Sequence, residues 1–348
     1  MNLNNLKIGV LFTAYNCADY INDSLKPWFN LKNTFNFKFA INSGMFKMYK
    51  DLGFTDRNSE TLNILYKYRF DYLINTKDSI LLDEDTSRNN CLNYLKDVQG
   101  CDLIWLVDAD EVYTEAQIVK TINFIRNNPE PDWYSVMFRN FTFIKKYHLD
   151  FDRPNIYWTN RYNGIDRFHF DCHVLYKDGV LYHQKNGLCI PKNILFVDHY
   201  SWLTNDTRSI EKIEYQKNRH HGEKDVRCAY VYKDEELFFN KNFYEKRGAN
   251  HPVLHEFLNI IDNRFIVGYD FFDKNFYIIP SEQINNVNIK IYNSDNNVVL
   301  DRICNVNNPF KYWFTIDLQG SFKLEIYVDN KLTHEENFHI DTKMMDYD

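Results

Sequence analysis

A chain of 348 residues has room for one large domain and a smaller one, and its net charge of −7 disfavours a broad basic surface for nucleic acid. Its 7 cysteines, an odd number with no CxxC, argue against a disulfide framework and for a reducing compartment. The N-terminus lacks a signal-peptide layout and no apolar run approaches the roughly 20 residues of a membrane span, so the expectation is a soluble, cytoplasmic protein with no transmembrane segment.

In chain order, Lys7–Tyr15 (KIGVLFTAY) is an apolar run rich in β-formers and predicts a central first strand. Residues 16–31 have helical spacing at Ala18, Ile21, Leu25 and Trp28. Phe37–Asn42 predicts the second strand. Ser59–Tyr68 predicts a helix with Leu62, Leu65 and Tyr66 inward, and Phe70–Asn75 predicts the third strand. Thr86–Val98 predicts a helix with Cys91, Leu92, Leu95 and Val98 at core spacing and Thr86 or Ser87 as its cap. The apolar run Leu103–Val107 then reads as a buried strand ending on Asp108. Strands alternating with helices predict an α/β fold, a mostly parallel sheet flanked by helices on both faces.

A helix is predicted from Thr114 to about Asn127, and Asn128–Asp132 (NPEPD) reads as a turn. Aromatic strands follow at Trp133–Arg139, Ile156–Tyr162, Phe168–Tyr176 and Val180–His183, where an acceptor would be held. Ile194–Ser201 predicts another strand, and Leu203–Arg219 a polar helix capped by Thr204 or Asn205. Residues 220–275 resist assignment. From Asn285 onward, short alternating strands between Asn, Asp and Gly turns predict a small β-sandwich with no catalytic constellation of its own. The expected division is 1–220 for the main domain (nucleotide-binding half 1–115, acceptor half 116–220), 221–284 for a helical or irregular extension or linker, and 285–348 for the β-sandwich.

Chemistry concentrates at Asp108-Ala109-Asp110-Glu111. In an open α/β sheet, ligands sit at the carboxyl ends of strands. Two carboxylates there suit a hard divalent cation, Mg²⁺ or Mn²⁺, which also binds phosphates. The competing role is local: Glu111 or Thr114 would cap the next helix.

Three segments resemble family 2 glycosyltransferases of the GT-A fold. Thr13-Ala14-Tyr15-Asn16 is similar to that family's opening segment. Asp85-Thr86-Ser87-Arg88-Asn89-Asn90 is similar to its S-x-A-R-N segment, and Asp108-Ala109-Asp110-Glu111 to its D-x-D. The resemblance covers residues 7–115 well and 130–220 loosely. It implies metal-dependent, inverting transfer of a sugar from a nucleotide-diphosphate donor to a glycan or other hydroxyl acceptor, with nucleic acid a disfavoured acceptor. On this resemblance Thr13, Tyr15, Asn16, Asn42, Arg88 and Asp108 bind the nucleotide. Asp110 is the closer ligand of Mn²⁺ or Mg²⁺, Asp108 assists on the ribose or through water, and His199, after an apolar strand, is the third ligand. For Arg88 an ion pair with Asp108 or Asp85 is the alternative, and for His199 a hydrogen-bonded structural role. An inverting transfer needs a general base. Asp171 is the first choice, with Asp198 and Asp166 as alternatives. One departure is Ala40–Met45, which carries Asn42 and Ser43 where the family places an acidic nucleoside-binding segment, so base recognition differs or comes from Asp78 or Asp83.

His169, Cys172, His173, His183 and Cys189 match no common zinc spacing, and His220-His221 reads as solvated. A rival function is a haloacid-dehalogenase-like phosphatase, with Asp108 as nucleophile and Asp110 as acid/base. Against it, a long α/β pattern precedes the motif and the chain has no adjacent Asp-Asp pair. A second rival is a catalytically inactive carbohydrate-binding scaffold on a transferase fold.

Overall fold

The computed structural model describes residues 3–75, 82–142, 146–159, 167–169, 174–177, 180–182, 187–191, 194–202, 207–219, 228, 230–233, 236–240, 242, 254–256, 265–270, 275–280, 284–306, 312–340 and 345–346. The chain divides into two compact units, Met1–Phe138 with Phe151–Tyr200, and Arg139–Asp150 with Ser201–Asp348.

The first unit is built on β1 (Lys7–Thr13), β2 (Asn36–Ser43), β3 (Tyr72–Asn75) and β4 (Leu103–Asp108), which lie in the order β3-β2-β1-β4, all parallel. Side chains alternate across each strand. One face carries Ile8, Val10, Phe12, Phe37, Phe39, Ile41, Leu103, Trp105 and Val107. It packs on Ile21, Leu25 and Trp28 of α1 (Ile21–Asn30). The other face carries Leu11, Ala40, Ile74, Ile104 and Leu106, packed with Cys91, Leu92 and Leu95. Gly9 sits on that second face. A Cβ there would lie 2.8 Å from Ile104 Cδ1 and 3.1 Å from Leu95 Cβ, so a larger residue would have to push both neighbours aside. Burial pushes the Cys91 thiol up to about 12, which keeps it a protonated core residue.

Short helices α2 (Lys47–Asp51) and α3 (Ser59–Leu65) connect β2 to β3. Helix α4 (Glu84–Asn93) begins two residues before the expected cap. The cap is Asp83, whose carboxylate accepts from the Thr86 N–H at 2.6 Å. Asp outranks Thr as an N-cap, and Glu84 and Asp85 suit the positive end of the helix dipole. A π turn, Tyr94–Val98, completes the predicted stretch. After β4 come β5 (Glu111–Val112) and α5 (Glu115–Asn127), the latter closed by a capping box between Thr114 and Gln117. Thr114, not Glu111, is therefore the cap. β6 (Trp133–Phe141) pairs with β7 (Lys146–Trp158), and Ile156–Trp158 of β7 run antiparallel to β4. β8 (Arg167–His169), β9 (Val174–Lys177) and β10 (Val180–Tyr182) form a small antiparallel sheet. β11 (Gly187–Cys189) joins β6 in parallel, and β12 (Phe196–His199) runs antiparallel to β5.

In the second unit α6 (Thr207–Arg219) precedes the hairpin β13 (Tyr230–Lys233) and β14 (Glu236–Asn240). β15 (Leu254–Glu256) pairs antiparallel with Phe338 and His339. Two further strands, β16 (Phe265–Asp270) and β17 (Asn275–Pro280), form an antiparallel sheet with β20 (Tyr312–Thr315). β18 (Ile284–Asn293), β19 (Val298–Val306), β21 (Gly320–Val328) and β22 (Lys331–Ile340) make the larger antiparallel sheet, and β23 (Met345–Asp346) lies beside β14. Phe276 and Ile278 of β17 share one core with Val287, Ile289, Leu324, Ile326 and Phe338, and Phe276 stacks on Phe338 at 5.4 Å. This is sandwich packing. Most described residues of 221–284, where a helical or irregular extension or linker was expected, lie in strands β13 to β17. Phe276 and Ile278 enter the core at a period of two, but flanking aromatic and charged residues hide that alternation in the sequence.

Candidate active site

The order β3-β2-β1-β4 reverses between β1 and β4. Such a reversal opens a crevice at the carboxyl ends of the two strands. Thr13 ends β1 in register with Asn42 of β2 on one side and Asp108 of β4 on the other. Backbone hydrogen bonds seal the row: Ala14 N–H donates to Asn42 O and Ala109 N–H to Thr13 O, both at 2.9 Å. By the strand period, Thr13, Asn42 and Asp108 lie on the face of Leu11, Ala40 and Leu106, toward α4.

Helix α4 brings Glu84, Ser87 and Arg88 to that face, all buried. Arg88 Nη2 lies 3.0 Å from Asp108 Oδ1 and donates to Glu84 Oε1 at 3.1 Å. The contact with Asp108 has ion-pair distance but falls outside hydrogen-bond geometry. Both amide atoms of the fully buried Asn42 lack a hydrogen-bond partner among the described residues, as do Ser87 Oγ and Thr13 Oγ1. Leaving one such group unpaired costs about 1–3 kcal/mol. Native structures keep few of them, and those they keep call for an explanation.

The loop after β1 turns at Asn16, which holds φ of 49°, a left-handed conformation that Asn tolerates. Its N–H donates to Asn58 Oδ1 at 2.9 Å, while Asn58 Nδ2 donates to Ser43 O and Oγ at 3.1 Å. Cys17 N–H donates to Thr61 Oγ1 at 2.9 Å. Asn58 thus ties the end of β1 to the end of β2. Sequence reasoning missed it because an Asn before Ser59 looks like a helix cap. It does occupy the cap position of α3, but makes no side-chain cap bond there. Tyr15 packs beside Tyr49, ring centroids 5.4 Å apart.

The acidic loop is held from a second direction. β5 meets β12 with Glu111 opposite His199 and Val112 opposite Asp198, and Tyr200 N–H donates to Asp110 O at 2.8 Å. His199 Nε2 lies 3.4 Å from Asp110 Oδ1, with both side chains largely buried, and Phe138 packs edge-on at 5.7 Å from the imidazole. The two acids of the motif have separate partners: Asp108 meets Arg88, and Asp110 meets His199.

Asp198, adjacent to His199 on β12, leaves the strand on the opposite face and does not join that pair. Asp83 is the cap of α4. Asp171, Asp166, Asp78, Cys172, His173, His183, His220 and His221 lie outside the described residues, and of His169 only the backbone is described. Cys189 is exposed. Among the described residues no group of three or more His, Cys, Asp or Glu is gathered tightly enough to hold a metal. The pair Asp110 and His199 offers one oxygen and one nitrogen donor side by side. Such a pair could contribute two ligands to a divalent cation such as Mn²⁺ or Mg²⁺.

No protein-family model matches the chain, and no curated protein matches it. Among solved structures, residues 1–349 of S. aureus TarS in complex with UDP-GlcNAc align at 18% identity and a TM-score of 0.29. That alignment covers 39% of this chain and spans 35% of the TarS chain. The same TarS fragment alone aligns over 64% of this chain and 70% of its own, at 14% identity and a TM-score of 0.36. The inositol-1-phosphate CTP transferase of T. maritima aligns over 44% of this chain and 69% of its own, at 8% identity and a TM-score of 0.24. At these identities and scores none of them assigns a family or an activity to this chain. Among the described residues no helix is long and apolar enough to cross a membrane.

Proposed function

We propose that the first unit carries a metal-dependent glycosyltransferase of GT-A type, which moves a sugar from a nucleotide-diphosphate donor to an acceptor hydroxyl with inversion. One observation carries the reading: three segments far apart in sequence, ending at Thr13, Arg88 and Asp108, meet at a single switch point, the place where open α/β sheets bind nucleotides. In this reading Thr13, Asn42 and Ser87 present neutral donors and acceptors to the uncharged nucleoside. Arg88, anchored by Glu84, orients Asp108 toward the ribose. Asn58 and Asn16 hold the intervening loop, with Tyr15, against the same ligand. Asp110 and His199 hold the cation.

Asp110 and His199 would hold a divalent ion, Mn²⁺ or Mg²⁺, which would supply positive charge for the departing diphosphate. Of the three candidate bases, Asp198 points away from His199, and Asp171, the first choice ahead of Asp166, is assigned to take the proton of the acceptor hydroxyl. The acceptor oxygen bonds the anomeric carbon as the sugar–phosphate bond breaks, and that electron pair leaves with the diphosphate. The phosphatase alternative needs Asp108 as a free nucleophile. Its engagement by Arg88 favours the transferase.

The test is a thermal-shift panel of UDP, GDP, CDP and dTDP sugars, each with and without Mn²⁺. A ligand at about a hundred times its dissociation constant adds about 2.7 kcal/mol. The expected result is a shift that needs one nucleotide and Mn²⁺ together. In Asp110→Ala that shift disappears and donor turnover falls about 100-fold or more with the fold retained. Full turnover in Asp110→Ala sinks the site. A response only to Mg²⁺ with phosphate mimics would turn the reading to a phosphatase.

A further inference from the structure

Glu111 is a buried carboxylate that the mechanism above does not use, exposed by only 3%. Tyr113 Oη donates to its Oε2 at 2.9 Å. The phenol is itself caged by Trp28 and Trp105, whose rings stand edge-on at 5.3 and 5.7 Å. Burial, reinforced by the Glu111 charge, holds the Tyr113 hydroxyl well above its ordinary pKa, so it stays a donor. The carboxylate is therefore fixed by the rigid core rather than by solvent.

Glu111 stands directly opposite His199 in the antiparallel pairing of β5 and β12. Directly opposed residues project from the same face, with Cβ atoms about 4.5–5.5 Å apart. The imidazole turns Nε2 to Asp110. Its other ring nitrogen, Nδ1, is the one an opposed carboxylate would orient. Metal-binding histidines are commonly held in this way, the outer carboxylate fixing tautomer and ring angle.

We propose that Glu111 is a positioning residue: braced by Tyr113, it sets the ring of His199 so that Nε2 faces the cation beside Asp110. The proposal rests on the reading of Asp110 and His199 as cation ligands. It adds a Trp105–Tyr113–Glu111 chain that carries the rigidity of the sheet core into the site.

The experiment is Mn²⁺ titration of the full chain, with bound ion read from loss of the free-ion EPR signal. The variants are Glu111→Gln, Tyr113→Phe, His199→Gln and the two double variants containing His199→Gln. Glu111→Gln is expected to weaken Mn²⁺ binding about 10- to 100-fold. In the His199→Gln background it is expected to change nothing further, since its effect acts through that ring. Unchanged binding in Glu111→Gln, or an equal loss in both backgrounds, overturns the proposal while leaving Asp110 and His199 as ligands. If Glu111→Gln does not fold, Tyr113→Phe keeps the charge and decides by the same cycle, with an expected loss of about threefold. A wild-type chain that binds no Mn²⁺ brings down both this proposal and the ligand reading beneath it.

Discussion

In the C-terminal sandwich, His334 and Glu336 face the core 3.2 Å apart, and on the outer face Lys323 reaches both Glu325 and Glu335 while Tyr327 donates to Glu325. At the end of the parallel sheet, by contrast, Asn42, Ser87 and Thr13 carry buried polar atoms with no hydrogen-bond partner among the described residues. Both regions bury their aliphatic and aromatic side chains equally well. The difference lies in how the unpartnered polar groups are placed: three residues gathered at the ends of the parallel strands, against the lone Asn288 Oδ1 in the described part of the sandwich. A network that satisfies itself adds stability and leaves nothing for a ligand. A row that stays unsatisfied costs stability, and on the proposed function it is reserved for a ligand.

This contrast breaks or sharpens under three substitutions. The largest effect is expected from Arg88→Ala. It removes a buried cation that holds Glu84 and Asp108, and should cost about 3–5 kcal/mol in urea denaturation together with nucleotide response. A loss below 1 kcal/mol would mean the guanidinium holds nothing in place. Glu336→Leu takes one partner from the pair inside the sandwich and should cost about 1–3 kcal/mol by the same assay, with the Mn²⁺-dependent nucleotide shift unchanged. The smallest effect has the opposite sign. Asn42→Leu replaces an unsatisfied amide with an apolar side chain of similar size and should gain about 1 kcal/mol while the nucleotide shift is lost. If Asn42→Leu instead destabilises the fold, the row is structural and the contrast with the sandwich fails.

Much of the parallel sheet was legible because buried strands are short apolar runs and amphipathic helices keep their period. That placed β1 to β4 and the row from Thr13 to Asp108. Harder to read were features fixed by contacts distant in sequence. Asn58 looks like a cap, and its role appears only once Asn16 and Ser43 are beside it. Glu84 gives no sign that it anchors Arg88 until α4 is seen to start at Asp83. Strands β16 and β17 were missed because an alternating pattern of five or six residues is easily masked by aromatic and charged neighbours. The candidate base Asp171 lies outside the described residues.

The position of β1 between β2 and β4 also bears on how the chain is made. Lys7–Thr13 leaves the ribosome well before its second neighbour, Leu103–Asp108, which follows some 90 residues later. At ordinary synthesis rates this leaves one edge of an apolar strand waiting about 5–20 s. The nascent chain must shield Ile8, Val10 and Phe12 through that interval, a natural point for chaperone engagement and for aggregation when expression is fast. Because Thr13 and Asp108 close the same pairing, the strand insertion that ends this exposure is also the event that first brings the two sides of the crevice together.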